Sequence, residues 1–238
     1  MKRQTYALGV AVGLLSITGF AFAPLDGFSV KRQPKEGQIV KLRVKATLEI
    51  GGSQALFSGL VQDKTTKVDS DGAYTEEEQQ TEGSAKIGDL TTAVPSIAAF
   101  PMIHNADGSL RELKGNPDVS GPDAYRMASL EVLVDAGHPL NVGDSWSTEI
   151  KADSKTGVKA AKADYKILGE EKIGEFNSIK VKFALKETEG TLPASSDGTI
   201  WINKADGTMV KEEITWKNAP FPGAQGPTNA TMTVTRES

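Results

Sequence analysis

Between Val40 and Ile50 the chain alternates strictly. Val40, Leu42, Val44, Ala46, Leu48 and Ile50 are separated by Lys41, Arg43, Lys45, Thr47 and Glu49. A period of two gathers the apolar side chains on one side of an extended backbone, whereas a helix would scatter them around its circumference. The stretch is therefore a half-buried strand, with the row Lys41, Arg43, Lys45 expected in solvent. The same period recurs at Ala161, Ala163, Tyr165, Ile167 and at Ile179, Val181, Phe183, Leu185. Ala230, Met232 and Val234 continue it.

Turn chemistry joins these runs. Gly198–Trp216 reads as two β-type runs around Lys204-Ala205-Asp206-Gly207, a hairpin signal with Gly207 in the left-handed region. The register expected sets Ile202 opposite Val210, Ile200 opposite Glu212 and Trp201 opposite Lys211. One face then carries Ile200, Ile202, Val210, Ile214 and Trp216, and the other Trp201, Met209 and Lys211. Asn105-Ala106-Asp107-Gly108-Ser109 repeats the same turn motif. Return strands are expected at Ala55–Val68 and from Tyr74, with turns at Gly51-Gly52 and Asp71-Gly72. Ile87–Phe100 is ambiguous, with a break at Pro95. A strand through Ile150 follows Asn141–Trp146, and 219–227, rich in Pro and Gly, is a loop.

Pro122–Asp135 is the one helix expected in the mature chain. Pro122 suits a first turn, and Ala124, Met127, Leu130 and Val134 share a face. The β-branched Val132 and Val134 make a strand over Leu130–Val134 the rival reading. The Gly- and Pro-rich stretch before it divides the chain into an N-terminal half, 24–120, and a C-terminal half, 121–238, of similar plan. The fold expected is mainly β: a long antiparallel curved sheet or unclosed barrel, with two similar halves and one short helix.

Residues 1–23 differ in kind. Lys2 and Arg3 precede an apolar run from Ala7 to Phe22 that ends in Ala21-Phe22-Ala23, the pattern of a secretory signal peptide. Pro24 after that site disfavours cleavage there, and a retained segment would act as a membrane tether. The run is short for a spanning helix of about 20 residues. The chain is expected to be exported, to the periplasm or the extracellular space. With 0 cysteines, its core must hold it without disulfides, and thiol chemistry and cysteine metal sites are excluded. A net charge of -4 gives no whole-chain reason to expect nucleic-acid binding.

No residue pattern calls for a metal, a cofactor or a catalytic set. His104 and His138 lack ligands at metal spacing, and no Gly-x-Ser-x-Gly elbow, phosphate loop or dinucleotide fingerprint is present. Glu170, Glu171 and Asp197 read as solvent-exposed charge, as does the run Glu76–Glu78, which is expected on a solvated edge strand or opposite Lys41, Arg43 and Lys45. Asn229-Ala230-Thr231 matches a glycosylation pattern. Trp146, Trp201 and Trp216 fall on strands, where such residues are more often core anchors than ligand contacts.

Val142-Gly143-Asp144-Ser145-Trp146, Tyr165-Lys166-Ile167-Leu168-Gly169 and Gly198-Thr199-Ile200-Trp201-Ile202 resemble uncharacterised secreted bacterial β-rich proteins, and more distantly the lipoprotein-carrier (LolA/LolB-like) superfamily. The resemblance implies a curved antiparallel sheet with a helix or loop over its concave side, binding acyl chains or other apolar ligands without catalysis. These motifs are structural and transfer no functional residue. The chain lacks the lipid-anchor cysteine of the anchored members. The function expected is that of a non-catalytic binding module for an apolar or amphiphilic ligand, such as a lipid, or for an envelope protein partner. A structural or surface-interaction protein is the alternative, and a hydrolase the least favoured reading. A ligand would be faced by Trp201, Trp216, Leu130 and Val134.

Overall fold

The computed structural model describes residues 27–50, 52–115, 121–221, 224 and 226–237. The signal segment expected at 1–23 and its cleavage site lie outside the described residues. The strands are β1 Ile39–Ile50, β2 Ser53–Val68, β3 Tyr74–Ile87, β4 Leu90–Ala93, β5 Phe100–His104 and β6 Leu110–Leu113, then β7 Ser145–Ile150, β8 Ala161–Ile173, β9 Phe176–Glu187, β10 Ser195–Asn203, β11 Met209–Ala219 and β12 Thr228–Arg236. The helix, α1, is Pro122–Ser129.

All strand pairs are antiparallel. They form one 12-stranded sheet in the order β6-β5-β3-β2-β1-β12-β11-β10-β9-β8-β7, with β4 attached to β3 alone. The sheet is open, and β6 and β7 end it. The stretches 24–120 and 121–238 meet where β12 runs beside β1, from Leu42 opposite Arg236 to Leu48 opposite Ala230.

Period-two burial drives the assembly. Along β8 and β9, Ala163, Tyr165, Ile167, Val181, Phe183 and Leu185 are buried, while Lys162, Asp164, Lys166, Lys182 and Lys186 are exposed. At about 25 cal/mol per Å² of apolar surface, one such row is enough to set the register of its strand. Both Ala-Asp-Gly turns close hairpins, with Gly108 at φ 86° and Gly207 at φ 71°. In each the aspartate Oδ1 accepts the amide hydrogen two residues on, from Ser109 at 2.9 Å and from Thr208 at 3.0 Å.

Three local expectations need correction. The helix ends at Ser129, with Leu130 as its C-cap, and 132–136 runs on without regular structure. Neither the longer helix nor the rival strand forms, because this segment spends its carbonyls on the sheet. Tyr165 Oη donates to the Val132 oxygen at 2.7 Å, Trp146 Nε1 to the Val134 oxygen at 2.9 Å, and Ser196 Oγ to the Leu130 oxygen. Second, a bulge follows Trp201, so Ile202 pairs with Met209 and not with Val210. Met209 thereby turns to the core side, among Val40, Leu42 and Val234. Third, β3 lies beside β2 and β5 and not beside β1, so Glu76–Glu78 do not face Lys41, Arg43 and Lys45. Arg43 instead pairs with Glu82 at 3.2 Å and Glu237 at 2.6 Å.

Candidate functional site

The sheet, α1 and the segment after it do not close on each other completely. They leave a cavity of about 460 Å³ on the covered face of the sheet. Its floor is apolar: Val40, Leu42, Val44 and Ala46 from β1, Val61 from β2, Met232 and Val234 from β12, and Ile200 and Ile202 from β10. Val132 and Leu133 come over it from the segment after α1, and Phe221 from the loop after β11.

The polar part of the lining is mostly acidic, with Arg32, Tyr74, His104 and Thr208 beside the acids. Reading the pairings across the sheet, Val44, Val234, Glu212, Ile200, Val181 and Ile167 form one row. Glu212 is thus a carboxyl in a line of aliphatic side chains, and it is 2% exposed. Farther along, Asp63 stands directly opposite Glu78, and Thr65 opposite Glu76. Glu131 enters from the segment after α1. Burial pushes the Glu212 pKa up to about 8. Burial, with Glu76 beside it, raises Glu78 to about 7. Asp63 is raised well above the carboxylate range by burial and then by Glu78 and Glu76. Glu131 is raised likewise by burial and then by Glu212 and Glu78. Glu78, Glu131 and Asp63 keep partial exposure and line the cavity; Glu212 alone is fully enclosed.

Basic groups are few and committed. Arg32, on the chain segment before β1, meets Glu76 at 3.1 Å, Gln38 Oε1 at 3.0 Å and the Asp206 carbonyl at 3.3 Å. His104 stacks on Tyr74 with ring centroids 4.9 Å apart, and its Nε2 lies 4.0 Å from Glu76. Burial lowers the His104 pKa, with Glu76 opposing. The pairing of β3 with β5, which the sequence does not announce, supplies His104 with this carboxylate neighbour. Among the described residues no group of His, Asp and Glu has the spacing to hold a metal ion.

The residues expected to face a ligand separate. Trp216 lines the cavity, is 1% exposed, and its Nε1 has no hydrogen-bond partner. Leu130 packs in the core between α1 and the sheet. Val134 lines a second cavity of about 420 Å³, together with Tyr125 and Ile150. Trp201 lies on the opposite face of β10 from Ile200 and Ile202. There it donates to Glu171 at 2.8 Å, and Lys180 and Lys211 cover its ring. Glu170, Glu171 and Asp197 are exposed, the first two paired with Lys204 and Lys180.

The carboxyls of the cavity were not anticipated. Their signal was parity: Glu212 holds the apolar position of Val210, Ile214 and Trp216, and Glu76 and Glu78 share the parity of the buried Tyr74.

No family model and no curated protein matches this sequence. The fold resembles lipovitellin, from a structure concerned with lipid–protein interactions, with 10% identity over 86% of this chain and a TM-score of 0.45; the match spans 25% of that chain. It also resembles a Bacteroides fragilis protein with a YmcC-like fold, at 10% identity over 89% of this chain and 100% of the other, TM-score 0.32. A DUF1329 family protein from Desulfovibrio piger matches at 9% identity over 85% of each chain, TM-score 0.23. At identities this low and overlaps this loose, nothing about ligand, partner or activity follows.

Proposed function

We propose that this is an exported, non-catalytic binding protein whose cavity takes an apolar or amphiphilic ligand. The observation that carries the reading is the space itself. Protein interiors normally fill with their own side chains. Here about 460 Å³ remains over a floor of Val40, Leu42, Val44, Val234 and Ile202. That volume falls within the range usual for small-molecule sites, about 300–1,000 Å³. Each methylene buried there contributes about 0.8 kcal/mol, so an alkyl chain of about eight carbons gains roughly 6 kcal/mol before ordering costs.

Export rests on Lys2, Arg3, the apolar run to Phe22 and Ala21-Phe22-Ala23. Intact-mass measurement on protein from the cell envelope is expected to show removal of the N-terminal segment near residue 23. Full-length protein in the cytoplasm would refute export. The binding reading is tested by native mass spectrometry of the same material and by titration with a neutral environment-sensitive dye. Bound apolar mass and saturable dye uptake are expected, and uptake should fall when Val44 or Val234 is replaced by Trp to fill the floor. Bare protein with no dye uptake would leave the structural reading in its place.

A further inference from the structure

The carboxyls of the cavity lack what buried acids usually have. Asp63, Glu78, Glu131 and Glu212 all line it, and among the described residues none makes a side-chain hydrogen bond or an ion pair. Arg32 is already engaged by Glu76, Gln38, Thr65 and the Asp206 carbonyl. His104 Nδ1 meets the Gly108 carbonyl at 3.3 Å, and its Nε2 lies 4.0 Å from the same Glu76, without a hydrogen bond. The remaining acidic group, Asp107, is held in its own turn by Ser109. The cavity therefore has an excess of acceptors and no uncommitted cation.

One further feature points to a ligand. Glu212 is 2% exposed in an otherwise aliphatic row, yet its side chain opens on the cavity without a partner. Native structures seldom leave buried polar groups in this state, and an unsatisfied set around a void is what a polar ligand head would complete.

We propose that the ligand is a cationic amphiphile, an alkylamine or alkylammonium, whose charged head is received by Glu131 and Glu212 and whose chain lies on Val44, Met232 and Val234. This rests on the binding reading above and narrows it to one ligand class. These two carboxyls come from the segment after α1 and from β11, two different walls of the cavity, while Glu78 lies farther off on β3, with β2, β1 and β12 between. A fatty-acid carboxylate finds no opposite charge there, and it meets like charge as soon as one of the acids ionises. Near neutral pH the acids hold protons because they are buried; an arriving ammonium stabilises the carboxylate, and the proton leaves to solvent.

The test compares decylamine, decanol and decanoate, which share one alkyl chain, by isothermal titration on the full-length protein. Decylamine is expected to bind about tenfold or more tighter than decanol, with decanoate weakest. Its binding should release protons, read from heats in buffers of different ionisation enthalpy. Between about pH 6 and pH 8 its affinity should rise, by at most about tenfold per pH unit for each proton released. Glu212→Gln and Glu131→Gln should each weaken decylamine about tenfold while leaving decanol unchanged, which also shows that the variants are folded. Glu213→Gln, on the exposed face of the same strand, should change nothing. Decanol or decanoate binding as tightly as decylamine would overturn the cationic assignment and leave the apolar site standing. Absence of binding by all three would overturn both.

Discussion

Replacing Glu212 by Gln should flatten the dependence of stability on pH. Glu212 sits between Val234 and Ile200 with a folded pKa of about 8, set by burial. In the unfolded chain it returns to the ordinary glutamate value, about 4.3. A carboxyl whose pKa is raised on folding holds its proton more tightly in the native state. Its contribution is full below the unfolded value and is lost as pH rises through the folded one. At ~1.4 kcal/mol per pKa unit, the loss between about pH 5 and about pH 9 is ~4 kcal/mol. Glu131, facing it from the segment after α1, and Glu78 and Asp63, from β3 and β2, are raised as well and slope the same way. His104, lowered by burial, slopes the other way, and its effect is complete above about pH 6.5. The assay is urea unfolding of both proteins at pH values spanning that window. The variant's stability relative to the parent should rise with pH by about 4 kcal/mol. A pH-independent offset added to that rise would report only how the amide packs. Parallel curves would refute a buried, proton-holding Glu212.

Val181→Asp should cost several kcal/mol or prevent folding, since Val181 is 0% exposed and the new charge finds no partner, whereas Lys182→Ser on the outer face should cost under about 0.5 kcal/mol; chemical denaturation separates the two. Arg126→Met should cost about 3 kcal/mol, because Arg126 grips Glu187 through bonds of 2.9 and 3.0 Å and its loss strands a carboxylate with a side chain 2% exposed. Gly207→Ala should cost more than about 1 kcal/mol. It places a Cβ 2.4 Å from the Lys31 carbonyl at φ +71°, and limited proteolysis should then cut the segment before β1.

The strands were legible because an apolar residue at every second position has one economical outcome. Val40–Ile50 and Ile179–Leu185 sit in the sheet as their alternation demands. The helix was legible only to Ser129. Beyond it, Leu130 continued the helical face, but the backbone carbonyls found better partners in Tyr165, Trp146 and Ser196. The acids were hidden by a rule that usually holds, that charge marks the outer face. Glu78 and Glu212 keep the inward parity of their strands, and parity depends on the backbone, not on the polarity of a single side chain. The bulge after Trp201 was invisible for the same reason: an extra residue leaves no compositional trace.

The seating of β12 beside β1 has a consequence for how the molecule comes into being. Arg43 finds Glu237 across 194 positions of sequence. Until β12 forms, β1 presents an open edge and the Val40, Leu42, Val44 face has no neighbour on that side. Local hairpins such as β8–β9 and β10–β11 can assemble early, but the joint that unites them with β1–β6 must wait for a long-range encounter, which slows folding. The cavity floor draws on β1, β10 and β12 together. On the binding reading proposed above, no partly folded form can hold the ligand, and binding acts only on the finished sheet, drawing the slow closing step toward completion.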